Sequence, residues 1–98
     1  MLCKEKTLDL AVILTPSGMH YPHAVDILRK YKKHLLIEKP TSLKTSQIKN
    51  LYNIASKYKK KIFPVFQNRY NKCVIKIKDL INKQKLGKIR IASLQLRW

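Results

Sequence analysis

Two short apolar runs frame this chain. Residues 10–14, Leu-Ala-Val-Ile-Leu, are apolar without a break and stop at Thr15-Pro16-Ser17-Gly18; residues 35–37, Leu-Leu-Ile, stop at Glu38-Lys39-Pro40. Continuous rather than alternating apolarity predicts strands of a parallel sheet covered on both faces. Between the runs, Ala24, Ile27, Leu28 and Tyr31 recur at helical spacing, with Arg29, Lys30, Lys32 and Lys33 mostly on the other side. The result is a βαβ unit. In a right-handed crossover both strands point the same way, so the Thr15 turn and the Glu38-Lys39-Pro40 turn emerge on one edge of the sheet and can line one crevice. That is where open α/β folds bind ligands.

The pattern continues past the second strand. Thr41-Ser42 predicts a helix cap, and Ile48, Leu51, Tyr52, Ala55 and Tyr58 then predict a second amphipathic helix over residues 44–59. The basic run 57–61 suits the negative end of that helix. Residues 62–66 predict a third strand. Pro64 interrupts it and confines it to a sheet edge, because proline cannot donate to a ladder. Strand 10–14 forms the opposite, open apolar edge, which predicts self-association or a companion chain. A third helix carries Cys73, Ile77, Leu80 and Ile81 on one face, with Cys73 inward. It leads through Leu86-Gly87 to an alternating stretch, 89–96, that predicts a half-buried strand.

Composition narrows the function classes. A compact domain of 98 residues buries roughly 60 to 70% of the surface its unfolded chain exposes. With 45% hydrophobic residues this is not a disordered chain. No apolar run approaches the ~20 residues of a membrane span, and the first residues lack an apolar signal region, so the expectation is a cytoplasmic protein with no membrane partner. Cys3 and Cys73 stand far apart, without Cys-x-x-Cys or a histidine pair suited to zinc, so they are expected to be reduced thiols and no metal site is expected.

The net charge of +17, from 22 Lys and Arg against 5 Asp and Glu, would draw the chain to phosphate backbones without sequence preference. Specific nucleic-acid binding is not expected. The lysines are spread out, 57–61 being the tight cluster, and aromatic residues are not interleaved with them as stacking platforms would require. A nucleotide-sugar substrate would also suit a basic site.

The ordered succession Asp9-Leu-Ala-Val-Ile-Leu-Thr15-Pro16-Ser17, His20, Leu35-Leu-Ile-Glu38-Lys39-Pro40, Gln67-Asn68-Arg69-Tyr70 and Leu86-Gly87-Lys88-Ile89 resembles the nicotinamide-dependent glucose-fructose oxidoreductase, inositol dehydrogenase and rhizopine catabolism (Gfo/Idh/MocA) family. The Gln-Asn-Arg-Tyr segment and Leu96-Arg97-Trp98 look most like the branch that oxidises UDP-linked amino-sugar uronic acids at C3. The resemblance implies an α/β fold: the C-terminal half of a Rossmann-like doubly wound parallel sheet, followed by a helix and the first strand of a second α/β domain. Residues 1–70 would be a partial dinucleotide-binding domain, and 71–98 the linking helix and start of the substrate domain.

The resemblance also implies hydride transfer between NAD or NADP and a sugar or nucleotide-sugar hydroxyl. Lys39 matches the family's lysine beside the reacting oxygen, where an ammonium lowers the barrier as negative charge builds; by itself, a lysine there is more commonly a strand cap on a wet surface. Glu38 matches a glutamate that pairs with a cofactor ribose or holds Lys39, and is otherwise a solvated strand end. Thr15, Pro16 and His20 match the loop beside the nicotinamide ribose. Their alternative is a strand-to-helix turn in which Pro16 restricts the backbone and His20 starts a helix. Pro40 closes the Glu-Lys-Pro motif. Gln67, Asn68 and Arg69 match the segment over the cofactor end of the site, or are a polar loop; Trp98 could contact substrate only if the chain continued. His23 and His34 are expected at ordinary surface or partly buried positions.

Two family features have no counterpart. The Gly-x-Gly-x-x-Gly turn that holds the pyrophosphate needs more than Gly18 and Gly87. The family's later histidine near the substrate hydroxyl cannot be His20, His23 or His34, which all precede Glu38. The chain is therefore expected to be inactive by itself, as a truncated frame or one half of a split enzyme. The choice between NAD and NADP rests on a residue outside it.

Overall fold

The structure is a computed structural model that describes residues 5–95. It divides into two compact units, one up to Phe66 and one from Gln67 onward.

In the first unit, strands β1 (Leu10–Ile13), β2 (His34–Ile37) and β3 (Ile62–Pro64) form a parallel sheet in the order β1-β2-β3. Leu10 is opposite His34 and Ile13 opposite Ile37; Leu35 is opposite Ile62 and Ile37 opposite Pro64. Helix α1 (His20–Asp26) runs on as a π-helical turn, Ile27–Tyr31, and connects β1 to β2. Pro22 fits its first turn, where amide hydrogens have no intrahelical acceptor to lose. Helix α2 (Thr45–Lys57) connects β2 to β3. The expected βαβ arrangement and its Rossmann-type parallel sheet are what the chain adopts.

The core lies between the helices and one face of the sheet. Ile13, Leu35, Ile37 and Ile62 are buried there with Ala24, Ile27 and Leu28 of the first crossover and Leu51, Ile54 and Ala55 of α2. Burying a side chain the size of leucine contributes about 1.5–3 kcal/mol. The expectation of strands covered on both faces is corrected: on the opposite face Val12 is 54% and Phe63 47% exposed, with Leu10 close behind. Both crossover helices pack on the same side, as two successive crossovers of one hand require. Among the described residues of this unit, none covers the other side.

Ladder parity separates the two edges of the sheet. Asp9 and Ile13 present their carbonyls to β2, accepting from His34 N at 2.8 Å and Glu38 N at 3.1 Å. Backbone groups alternate sides along a strand, so those of Leu10 and Val12 face the open side of β1. At the other edge, Lys61 O accepts from Leu35 N and Val65 N donates to Ile37 O, so Pro64, between them in parity, faces outward. Its missing N–H falls where no ladder asks for one, as expected from the sequence.

Two local expectations are corrected at α2. The helix begins at Thr45 with Lys44 as N-cap and no side-chain cap bond. Ser42 lies upstream instead, donating its hydroxyl to Gln47 Oε1, so its side chain braces the first turn from outside rather than capping it. Tyr52, expected on the inner face, is exposed at 46%, and Ile54 takes a core position. The helix ends at Lys57 because Lys59 adopts a left-handed conformation, φ 53°. Lys60 N then donates to Ala55 O at 2.8 Å and Lys59 N to Ser56 O at 3.0 Å, the paired bonds of a Schellman ending.

The second unit contains a 3-10 turn, Gln67–Tyr70, and helix α3 (Lys72–Asn82), whose N-cap Asn71 accepts from Cys73 N. Cys73 is exposed, contrary to its expected inward position. Val74, Ile75, Ile77 and Ile81 are exposed with it; among the described residues of this unit, only the 3-10 turn packs on the helix. The strand expected over 89–96 is absent from its described part, 89–95. Alternation marks which side chains would face a core, but a strand exists only with a ladder partner, and none of the described strands serves; Ile91 is 89% exposed. Cys3, Leu96, Arg97 and Trp98 lie outside the described residues.

Candidate functional site

Parallel register puts the carboxyl ends of β1 and β2 side by side. The bond from Glu38 N to Ile13 O is the last rung before the two chains leave the sheet, Leu14-Thr15-Pro16 on one side and Lys39-Pro40-Thr41 on the other. Pro16 is extended at φ −54° and ψ 145° and turns the chain into a 3-10 turn, Ser17–Met19, closed by Met19 N donating to Pro16 O at 2.8 Å. This turn delivers His20 as the first residue of α1.

His20 is 1% exposed, and its ring joins the two loops. Nε2 lies 2.6 Å from Thr15 O and Nδ1 lies 2.6 Å from Pro40 O. Carbonyl oxygens only accept, so whichever ring nitrogen carries a proton is the donor, and both nitrogens donate at once only when both carry one. His20 thus holds the ends of β1 and β2 together through their backbones, its ring turned inward. One turn along α1, half-buried His23 places Nδ1 3.2 Å from Thr15 Oγ1. Behind this rim, Asn50 of α2 donates to Tyr21 Oη at 2.7 Å and ties α2 to α1.

The acidic and basic groups of the second loop stand at the surface. Glu38 is half-buried, and its Oε2 accepts from Lys39 N at 3.0 Å, which fixes the carboxylate against its own loop. Lys39 is exposed and precedes a cis bond to Pro40. Among the described residues its ammonium has no ion-pair partner. The rim therefore presents one fixed carboxylate, one solvated ammonium and the Thr15 hydroxyl.

The structure brings together Thr15, Pro16, His20, Glu38, Lys39 and Pro40. Gln67 and Arg69 are exposed in the 3-10 turn of the second unit. Sequence reasoning gave His23 no part in the rim and did not find the Tyr21–Asn50 bond. The one available signal was the three-residue step from His20 to His23, which puts both on one side of a helix.

A carboxylate can accept hydroxyl hydrogens, and a solvated ammonium can stabilise a polarised oxygen. The two glycines of the chain, Gly18 and Gly87, are far apart in sequence and do not make the Gly-x-Gly-x-x-Gly spacing of a pyrophosphate turn.

Residues 1–66 match the model of an oxidoreductase family with an NAD-binding Rossmann fold, GFO_IDH_MocA. Over 89 residues the chain is 28% identical to scyllo-inositol 2-dehydrogenase (NADP(+)) IolW of Bacillus subtilis, covering 90% of this chain and 24% of that protein. It is 32% identical to the uncharacterized oxidoreductase YdgJ of Escherichia coli, covering 90% of this chain and 25% of that one. Its fold is similar to the WlbA dehydrogenase of Bordetella pertussis, solved in complex with NADH and UDP-GlcNAcA. The TM-score is 0.80 at 25% identity, over 89% of this chain and 25% of the other. The chain spans about a quarter of the length of these proteins.

Proposed function

Because this chain belongs to the Gfo/Idh/MocA family of oxidoreductases with an NAD-binding Rossmann fold, we propose that the joined ends of β1 and β2 form the nicotinamide end of a dehydrogenase site, with Lys39 as its catalytic residue. The observation that carries this reading is the His20 clasp, which sets the Thr15 turn and the Lys39 loop on one rim. When bound, the nicotinamide supplies the hydride acceptor. The chain's own residues manage the charge. The ammonium of Lys39, exposed at the rim, reaches toward an alcohol oxygen and stabilises the negative charge that builds there as the oxygen loses its proton, which lets the attached carbon release its hydride as the carbonyl forms. Glu38, held by Lys39 N, accepts hydroxyl hydrogens of a ribose. Thr15 and Pro16 form the wall beside that ribose.

The substrate we propose is a sugar, cyclitol or nucleotide-sugar secondary alcohol. The IolW relative is named for an inositol and the WlbA neighbour was solved with UDP-GlcNAcA; the net charge of +17 suits a phosphate-bearing substrate. The same two names carry NADP and NADH, and the reading admits either cofactor.

In this reading the chain holds part of a site, since the pyrophosphate cradle and a proton acceptor on the substrate side are supplied elsewhere. Calorimetric titration of the chain with NADH and NADPH tests it. The expected result is no binding in the micromolar range and no turnover of any sugar. Micromolar affinity for the chain in isolation would refute the part-site reading.

A further inference from the structure

Thr15 is held at two points by one side of α1. Its carbonyl oxygen lies 2.6 Å from His20 Nε2, and its hydroxyl oxygen lies 3.2 Å from His23 Nδ1. The two histidines are three residues apart on the helix, which puts both rings toward the turn where β1 ends. Their surroundings differ. His20 is buried with both nitrogens on backbone carbonyls, whereas His23 is half-buried and engages a side chain. A threonine side chain has a choice of staggered wells. With its backbone fixed by one ring and its hydroxyl by the other, Thr15 is confined to one of them.

The direction of the bond to His23 decides what Thr15 offers a ligand. A hydroxyl has one hydrogen to give, and a neutral imidazole has one N–H and one bare nitrogen. That bare nitrogen is a more basic acceptor than a hydroxyl oxygen, so O–H···N is the stronger arrangement, the same pairing by which histidine takes the hydrogen of a hydroxyl nucleophile. It also leaves the N–H on Nε2, where water can accept it at a half-buried position. With its hydrogen committed to His23, Thr15 Oγ1 can only accept.

A second acceptor stands on the neighbouring strand end. Glu38 N donates to Ile13 O, so the two ends lie one strand spacing apart, about 4.8 Å. The Glu38 carboxylate, fixed through Oε2 by Lys39 N, has no hydrogen to donate while ionised. Resting on the nicotinamide-end reading of this rim, we propose that His23 is a positioning residue whose Nδ1 takes the Thr15 hydroxyl hydrogen. Thr15 and Glu38 then present two fixed acceptors, which admit a vicinal diol such as that of a ribose and turn away a group that can only accept. His23 acts through Thr15 alone.

The first test needs neither ligand nor variant. NMR of the ring nitrogens of neutral His23 should find the proton on Nε2 and Nδ1 bare; a proton on Nδ1 would overturn the proposal. The second is titration with nicotinamide mononucleotide at about 200 mM salt, followed by amide shifts at the rim. His23→Phe keeps a flat ring and should bind about three- to tenfold more weakly, the loss of one oriented hydrogen bond. Thr15→Val should lose as much, and adding His23→Phe to it should lose no more. His23→Asn, whose amide oxygen can take the place of Nδ1, should recover most of the affinity. The 2′,3′-dideoxy analogue of the mononucleotide, with no diol to donate, should bind the unmodified chain and His23→Phe alike. Unchanged affinity in His23→Phe, or losses in the two single variants that add, would overturn the proposal while the rim still binds the mononucleotide. Absence of rim shifts in the unmodified chain would overturn the nicotinamide reading, and the diol subsite with it.

Discussion

His20 Nδ1 lies 2.6 Å from the carbonyl oxygen of Pro40, twenty residues further along the chain, while Nε2 of the same ring meets Thr15 O. One buried side chain thus spans the mouth between two parallel strands. Removing it leaves two carbonyls without their donor and a cavity where the ring stood. His20→Ala should lower unfolding free energy by about 2–4 kcal/mol, chiefly through the cavity left by the buried ring. Urea denaturation measures it, and a change below about 0.5 kcal/mol, the level of an ordinary surface substitution, would mean that the clasp contributes nothing.

Lys39 should behave in the opposite way. It is exposed and supports no packing, so Lys39→Met should shift unfolding free energy by no more than about 0.5 kcal/mol. A stability loss like that of His20→Ala would make Lys39 a structural residue and remove the ground for its catalytic role.

The asymmetry of the sheet faces gives a paired test. Leu35 is fully buried and Leu14 is 73% exposed, although sequence makes them equal members of two apolar runs. Leu35→Ala should cost about 2–5 kcal/mol and Leu14→Ala less than about 1 kcal/mol. Equal costs in thermal or urea unfolding would contradict the one-sided core.

Helix ends carry a stabilising opportunity. Lys59 holds φ 53° at the end of α2, a conformation that costs an L-residue roughly 1 kcal/mol and glycine little. Lys59→Gly should therefore raise stability by about 0.5–1 kcal/mol, while Ser56→Gly inside the helix lowers it by a similar amount. The order of the two urea midpoints checks this.

The net charge of +17 predicts a salt response of two kinds. Screening relieves self-repulsion, so the urea midpoint should rise with added sodium chloride; the surface pairs Lys30–Asp26 and Lys83–Asp79 are too exposed to reverse the sign. Any retention on double-stranded DNA should vanish by about 200 mM salt. Sequence-preferring DNA binding above that concentration would favour a nucleic-acid function over the dehydrogenase reading.

The sequence made the parallel sheet legible because its strands end at Thr-Pro and Glu-Lys-Pro turns with helical periodicity between them. Pro64 even announced its edge, since a missing amide hydrogen permits little else. What could not be read depended on partners rather than patterns. The continuous apolarity of 10–14 demanded burial on two sides, yet only one side finds helices within the first unit. Alternation at 89–95 and the apolar face around Cys73 likewise specify orientation without supplying a neighbour. At the site, chemistry at the rim was visible in Glu38 and Lys39, but the clasp was not. That His20 turns inward between two carbonyls is a matter of loop distance, which no spacing encodes.

The claim on which the account turns is that the ends of β1 and β2 receive the nicotinamide half of a dinucleotide. Amide chemical-shift mapping by NMR, with nicotinamide mononucleotide added at about 200 mM salt to suppress non-specific phosphate binding, tests it directly. The account predicts weak, saturable shifts concentrated at Thr15, Ser17, Gly18, Glu38 and Lys39, lost in Lys39→Met. Shifts centred on the basic run 57–61, or none at the rim, would contradict it.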